Sequence, residues 1–489
     1  MKEQIARLGK GTLIYGVGQG LAKLIGFLML PLLTSYLSPA DYGVISILTI
    51  LSFLAAPVFG LGLANSIAIV YFGHSGTKKE ETIWTGFVIL LASGTVLLFV
   101  FFTFSEAISS LLFQTVDYSD LIRVVGLNTI FNGIINQPFV FRLQFEERSK
   151  LYVIITSLCT LTTLVLTILF VVVWENGVWG FMLATLAGSV ITFFCYFLAV
   201  VKWTKFSTDR VVAIDLVRYG LPMISSFFFL FVLQNAGRFI LQRYHGIADV
   251  GIYSIGHTFG MVMSLAVTAF TTSWFPYFNS FVDKQDVAKD LFGKITIYYM
   301  LAFGGFCLLF FIFSKPLILV LTEPSFHRAY EVVGIISLGN FLVGMDSILM
   351  AGVYFKKKAY LMNYVQLGAA LTCVLFSFLL IPELDIVGAG LSFLAGYCCL
   401  IIFQLVVNRL SGTLRIEYDM KRFFYFLLTT IVVVLISFIP RELTLVQEII
   451  FCSVHAAMLL AVLYLQLAGN ERNFINDTIR QGRVGLFKS

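Results

Sequence analysis

The stretch 40-ADYGVISI-47 returns 208 residues later as 248-ADVGIYSI-255. Five residues are identical and Val44 and Ile252 form a conservative pair, so six of eight positions agree. The same offset aligns Leu33 with Leu241 and Tyr36 with Tyr244. Each copy opens an apolar run of nearly thirty residues, Gly43 to Phe72 and Val250 to Phe278. A helix of that length measures about 45 Å, more than a hydrocarbon core of roughly 30 Å, so both runs should tilt, bend or project. Pro57, with Gly60 and Gly62, predicts a bend in the first run, and Pro276 is expected to close the second.

Around these copies the whole chain is apolar. Of 489 residues, 59% are hydrophobic and 12% charged, which excludes an ordinary soluble domain. Hydropathy predicts an all-α polytopic membrane protein with fourteen spans, approximately 11–36, 43–72, 83–104, 121–143, 151–174, 178–201, 216–242, 250–278, 291–314, 329–354, 359–381, 387–408, 421–439 and 448–468. Lys2, Arg7 and Lys10 before the first run look like the start of a signal peptide. That run, however, continues past twenty residues with no small-residue cleavage site, and a retained helix is expected.

Counting basic residues in alternate loops tests the span count. One set of loops, with the two termini, holds 26 of the 33 Lys and Arg residues, and the opposite set holds four: Arg243, Lys315, Arg328 and Arg441. A missed helix would scramble this alternation, so the asymmetry supports fourteen spans with both termini cytoplasmic. The basic run 356-KKK-358 faces the same side, as a topology signal or a contact with anionic headgroups. The net charge of +6 is spread over many short loops, and no nucleic-acid partner is expected. The seven cysteines all lie inside apolar runs without zinc-type spacing, which suits packing residues.

Because the two copies lie six spans apart, they share one membrane orientation. This predicts a parallel repeat about an axis along the membrane normal, with a central space near the midplane. The expected domains are 1–210 (spans one to six), 211–410 (spans seven to twelve) and 411–489 (two further spans and a tail).

With these motifs on the page, the chain resembles a known family. LPLLTSYLSPADYGV after the first span, YGLPM and GRFILQRYHGIADVGIYSI across the seventh and eighth, and 317-LILVLTEPSFHRAY-330 are similar to the polysaccharide-transport (Wzx-type flippase) branch of the MOP superfamily. The resemblance covers essentially the whole chain. It implies the MOP fold of two six-helix lobes plus two C-terminal helices, in the bacterial plasma (inner) membrane. It also implies a job in polysaccharide (O-antigen) biosynthesis: flipping undecaprenyl-pyrophosphate-linked oligosaccharide from the cytoplasmic to the outer leaflet by alternating access. Membrane lipids, a coupling H+ or Na+ and a polysaccharide polymerase are the implied partners. One departure stands out. The branch commonly carries an Asp-Arg pair in the seventh helix, and here Gly237 precedes Arg238.

Ionised residues within spans are costly, about 2.5–3.5 kcal/mol each on insertion scales, and need a partner or a wet cavity. Lys23 shares a helical face with Gln19, and Arg238 shares one with Asn235 and Gln242. Both cations are candidates for a diphosphate or acidic sugar; the alternative is a bridge from either to Asp346. Asp346 is the acid well inside a span and the candidate for ion coupling, or else an ion-pair partner. Arg123 lies close enough to an outer edge to snorkel. Asn128, Asn132 and Asn136 form a four-residue stripe that suits sugar hydroxyls or interhelical bonds, and Asn65 and His257 are further substrate candidates.

Catalysis is not expected. A membrane glycosyltransferase or polymerase would need carboxylates or a metal close to the membrane surface; Asp117/Asp120 and Glu383/Asp385 read as short outer-loop acids. No His/Asp metal cluster is visible along the sequence, and neither cofactor nor metal is expected. Other exporters of the same superfamily remain alternatives: a teichoic-acid or peptidoglycan-precursor flippase, or a drug/cation antiporter, which would favour an acidic cavity.

Overall fold

The computed structural model describes residues 29–202, 204–282, 285–356, 358, 360–410, 416, 419–437, 439 and 443–467. Among these the regular structure is entirely helical. Eleven helices are long and apolar enough to cross a membrane. The longest, Leu361–Leu410, is two spans joined where Asp385 leaves helical geometry (φ 53°, ψ −129°). A further apolar run is built from Ser119–Asn128, a π-helical turn Thr129–Ile134 and Gln137–Phe145. Among the described residues this makes thirteen of the fourteen expected spans, and of the first the helical residues 29–36 are described.

In chain order the helices that matter below are α1 (Pro39–Phe59), α2 (Leu63–Gly73), α3 (Ser119–Asn128), α4 (Gln137–Phe145), α5 (Ser149–Thr167), α6 (Gly177–Val201), α7 (Met223–His245), α8 (Ile247–Gly260), α9 (Val262–Asn279), α10 (Gly305–Leu321), α11 (Tyr330–Leu349), α12 (Leu361–Leu410) and α13 (Leu445–Gln466).

The chain packs as two compact units. One holds the residues up to Ile255 with Leu321–Phe326 and Gln366–Gly396; the other holds Gly256–Val320, His327–Val365 and the residues from Tyr397 onward. In the first unit, α1 starts at a capping box: the Ser38 hydroxyl accepts from the Asp41 N–H at 3.2 Å, and Asp41 Oδ2 accepts from the Ser38 N–H at 3.0 Å. The repeat's Asp thus has a local folding role in its first copy. The bend expected near Pro57 occurs. Helix α1 ends at Phe59 and α2 begins at Leu63, with Leu61 and Gly62 at positive φ between them. A Cβ on Gly62 would stand 2.2 Å from the Gly220 carbonyl oxygen, so both the backbone conformation and the close approach require glycine there.

The second long span breaks elsewhere, between Gly260 and Val262, and Pro276 lies inside α9, which continues to Asn279 rather than closing at the proline.

The other unit is built on small residues meeting aromatic ones. A Cβ on Gly334 would stand 2.4 Å from the Phe311 ring, and one on Gly344 would stand 2.0 Å from the Tyr299 hydroxyl. Lipid offers no hydrophobic drive between helices, so this close packing and a few buried polar bonds hold them. Two examples are the Trp274 indole N–H to Ser347 O at 2.9 Å and the Tyr299 hydroxyl to Phe341 O at 2.8 Å.

Candidate functional site

Helices α5 and α6 pack against each other, and each carries a ladder of hydroxyls at alternating four- and three-residue spacing. On α5 these are Thr156, Thr160, Thr163 and Thr167; on α6 they are Thr185, Ser189, Thr192 and Tyr196. That spacing places each ladder on one helical face. Both ladders line a cavity of about 620 Å³, with Tyr42 of α1 and Asn132 and Asn136 of the broken fourth span. Gly188 lets the helices approach: a Cβ there would lie 2.1 Å from Thr163 Oγ1.

Where the hydroxyl protons go decides the chemistry of this wall. Thr156 donates to Tyr152 O (2.8 Å), Thr160 to Thr156 O (2.8 Å), Thr163 to Cys159 O (2.9 Å) and Thr167 to Thr163 O (2.8 Å). On the facing helix Thr185 and Thr192 do the same toward Met182 O (2.9 Å) and Gly188 O (2.7 Å), and the one Ser189 proton is shared between Thr185 O (2.7 Å) and Asn128 Oδ1 (2.6 Å). Hydroxyls that donate back to their own helix leave lone pairs as their remaining capacity. The wall is therefore rich in acceptors, and no charged side chain lines the cavity among the described residues. Two buried atoms at this wall, Asn136 Oδ1 and the Tyr42 hydroxyl, have no hydrogen-bond partner among the described residues. A buried polar atom in that state costs about 1–3 kcal/mol until something hydrogen-bonds it.

The asparagine stripe divides its labour. Asn132 and Asn136 line the cavity, whereas Asn128 Oδ1 accepts from the Ser189 hydroxyl at 2.6 Å and serves helix packing. The π-helical turn, which contains Asn132, lies between Asn128 and Asn136; there Thr129 Oγ1 meets Ser52 Oγ of α1 at 2.7 Å. Such turns insert a residue into a helix and are frequent at functional sites.

Elsewhere in the same unit, Arg238 of α7 donates through Nη1 to Asn235 Oδ1 at 3.1 Å, and its guanidinium lies 5.7 Å from the centroid of the Tyr253 ring. Asn235 is held in turn by donating to Phe231 O at 3.1 Å. Arg238 Nε is buried with no hydrogen-bond partner among the described residues. The expected grouping of Arg238 with Asn235 is met, and Gln242 instead donates to Leu112 O at 2.6 Å. Arg123 pairs with Asp120 at 2.6 Å near the surface, as a snorkelling arginine should.

The remaining candidates do not join one site. Asn65 is exposed on α2; His257 and Asp346 belong to the other unit. Asp346 is half-buried on α11, and its Oδ1 has no hydrogen-bond partner among the described residues. Lys23 and Gln19 lie outside the described residues. The sequence analysis does not single out the threonine ladders, although their 4-3-4 spacing is legible in the chain.

Comparisons with known proteins fit this picture. Residues 32–331, more than half of the chain, match the family described as "Polysaccharide biosynthesis protein". "Lsg locus putative protein 1" of Haemophilus influenzae is 23% identical over 298 residues, which cover 60% of this chain and 71% of that protein. "Succinoglycan biosynthesis transport protein ExoT" of Rhizobium meliloti is 25% identical over 327 residues, 64% of this chain and 62% of that one. Among solved structures, the lipid II flippase MurJ in an inward closed conformation superposes with a TM-score of 0.69 at 13% identity, covering 92% of this chain and 99% of MurJ. An inward-facing multidrug resistance MATE family transporter of the MOP superfamily gives 0.63 at 16% identity, covering 80% and 95%. At such identities the two structures establish the fold alone. The chain belongs to the polysaccharide biosynthesis protein family.

Proposed function

We propose that the chain translocates a polyprenyl-pyrophosphate-linked oligosaccharide from the cytoplasmic to the outer leaflet of the bacterial plasma membrane. In this reading 1–210 and 211–410 act as two lobes that rock to alternate access, 411–489 adds the last two helices, and both termini are cytoplasmic. A polysaccharide polymerase would receive the product, and Asp346 would couple movement to a proton or sodium gradient. The observation that carries the reading is the uncharged, acceptor-rich cavity of α5 and α6, set in a chain of this family. Sugar hydroxyls are donors, and this wall offers them acceptors on two helices. A drug-cation antiporter would want carboxylates at its cavity, and none lines this one among the described residues.

Arg238 supplies the complementary chemistry. Its guanidinium has donor capacity left after bonding Asn235, suited to the fork geometry of a phosphate or an acidic sugar. Lys23, Gln19, Asn65 and His257 are proposed as further substrate contacts.

Flipping of a lipid-linked oligosaccharide in reconstituted vesicles tests this. Thr160→Val combined with Thr192→Val should keep the fold and slow flipping several-fold, because two acceptors become methyls of similar size. Arg238→Gln should slow it about tenfold or more, the loss of one or two charge-assisted bonds, and Arg238→Lys should keep part of the rate. Unchanged flipping in both the double variant and Arg238→Gln would refute the assignment.

A further inference from the structure

The two copies of the repeat differ just before their shared Ala-Asp, and the difference assembles a cluster of ligands. In the first copy Leu37 and Ser38 precede the helix, and Asp41 closes the capping box on Ser38. In the second copy His245 and Gly246 occupy those places. There the Asp249 carboxylate lies with His245 and Asp385. One ligating atom from each of the three falls within 4.8 Å of the others. All three residues are half-buried and belong to one compact unit.

The histidine's other nitrogen shows how the ring is set. His245 Nε2 lies 2.8 Å from the Ile381 carbonyl oxygen, which can only accept, so Nε2 carries a hydrogen. A neutral ring then points the Nδ1 lone pair at Asp385 Oδ1, 3.9 Å away and beyond hydrogen-bond reach. A nitrogen lone pair and two carboxylates converging on one point are a donor set that one divalent cation can bridge. A backbone carbonyl on the far nitrogen is also the arrangement that commonly orients a metal-bound imidazole. Ligands held at about 2.0–2.2 Å from one ion sit roughly 3–3.5 Å apart. Only a modest closure of the cluster is therefore needed.

We propose that His245 Nδ1 and the carboxylates of Asp249 and Asp385 form a divalent transition-metal site that ties the junction of α7 and α8 to the kink of α12. One imidazole and two carboxylates suit Zn2+ or Mn2+ better than Na+ or Mg2+, which prefer all-oxygen sets. The three ligands come from sequence positions up to 140 residues apart, which is why no spacing motif announced them. The charge asymmetry of the loops assigns this end of the helices to the outer face, where metal ions reach it without crossing the membrane.

The test uses the full chain in detergent micelles, stripped with a chelator and titrated with Co2+ and then Zn2+. Visible Co2+ bands should grow to one equivalent without a thiolate charge-transfer band, and Zn2+ should displace the Co2+ and raise the melting temperature. His245→Gln, Asp249→Asn and Asp385→Asn should each weaken binding at least tenfold. If one of them does not fold, the other two read the same loss. Absence of saturable binding, a thiolate band, or variants that bind like the parent would overturn the site. So would stabilisation that follows acidification alone and is blind to metal, because it would make the cluster a simple ion pair of a protonated His245.

Discussion

Ser46 and Ser254 donate and accept one hydrogen bond of 2.7 Å, and they are the equivalent residues of the two repeat copies, 208 positions apart. Two flanking contacts are reciprocal. A Cβ on Gly43 would strike the Ile247 carbonyl oxygen at 1.9 Å, and one on Gly251 would strike the Pro39 carbonyl oxygen at 1.8 Å. Pro39 and Ile247 are themselves equivalent under the same offset. Self-complementary contact of this kind, in which i meets j′ and j meets i′, is what a two-fold axis produces. The reciprocal pair Pro39–Gly251 and Gly43–Ile247 centres on Asp41 and Asp249, and the next contact on Ser46 and Ser254, so the two helices advance together. That is the sense of a parallel repeat, with Ser46 and Ser254 close to its axis.

The crossing makes a matched prediction. Gly43→Ala and Gly251→Ala should each destabilise the protein by about 1–3 kcal/mol or more, since backbone must move to admit the methyl. The two penalties should be similar because their surroundings are symmetric. Gly73→Ala, where a Cβ meets nothing within 4 Å, should be neutral. Thermal unfolding of the three variants in one detergent measures this. A pair of tolerated alanines at 43 and 251 would contradict the close crossing.

The same contact should have to break if the proposed lobes rock. In a background lacking the exposed Cys195 and Cys398, Ser46→Cys with Ser254→Cys should oxidise readily to a disulfide, given the 2.7 Å between the parent oxygens. The cross-linked protein should lose flipping and regain it on reduction. Full turnover while cross-linked would show that this seam does not open during transport.

A buried ion pair in the other unit sets a stability test. Lys315 of α10 lies 3.4 Å from Glu448 Oε2 of α13, and the Glu448 side chain is only 2% exposed. Lys315→Met would leave that carboxylate in the interior without its cation, at a cost of about 3 kcal/mol, the lower end for a broken buried pair because Lys315 itself is partly exposed. Adding Glu448→Leu should recover most of the loss. If the double variant is no more stable than the single, the pair is not what the cation serves.

Asp346 provides the coupling experiment. Its buried Oδ1 without a hydrogen-bond partner among the described residues is costly to keep charged. Asp346→Asn should fold normally and flip substrate at a rate no longer responsive to an imposed proton or sodium gradient. An undiminished gradient response in the variant would leave Asp346 with a structural role alone.

After these, the division between sequence and structure can be drawn at particular residues. The number of spans and the bend after Pro57 were legible in the chain itself. Each depends on a local transfer cost or a local backbone constraint, repeated in every segment of twenty residues. The repeat was legible for a related reason: Gly43 and Gly251, with Ser46 and Ser254, cannot drift in sequence without breaking the crossing they share.

What only the tertiary structure decided is which polar groups face one another. The threonines of α5 and the hydroxyls of α6 have a helical spacing that either a packed seam or a cavity would satisfy. Their chemistry as an acceptor wall follows only from where each proton goes. Asp385 reads as a loop acid until the chain kinks at its positive φ and sets it beside His245 and Asp249. Hydropathy sums over one segment at a time, whereas a binding site is a coincidence of atoms from several, and only packing brings those atoms within a few ångströms.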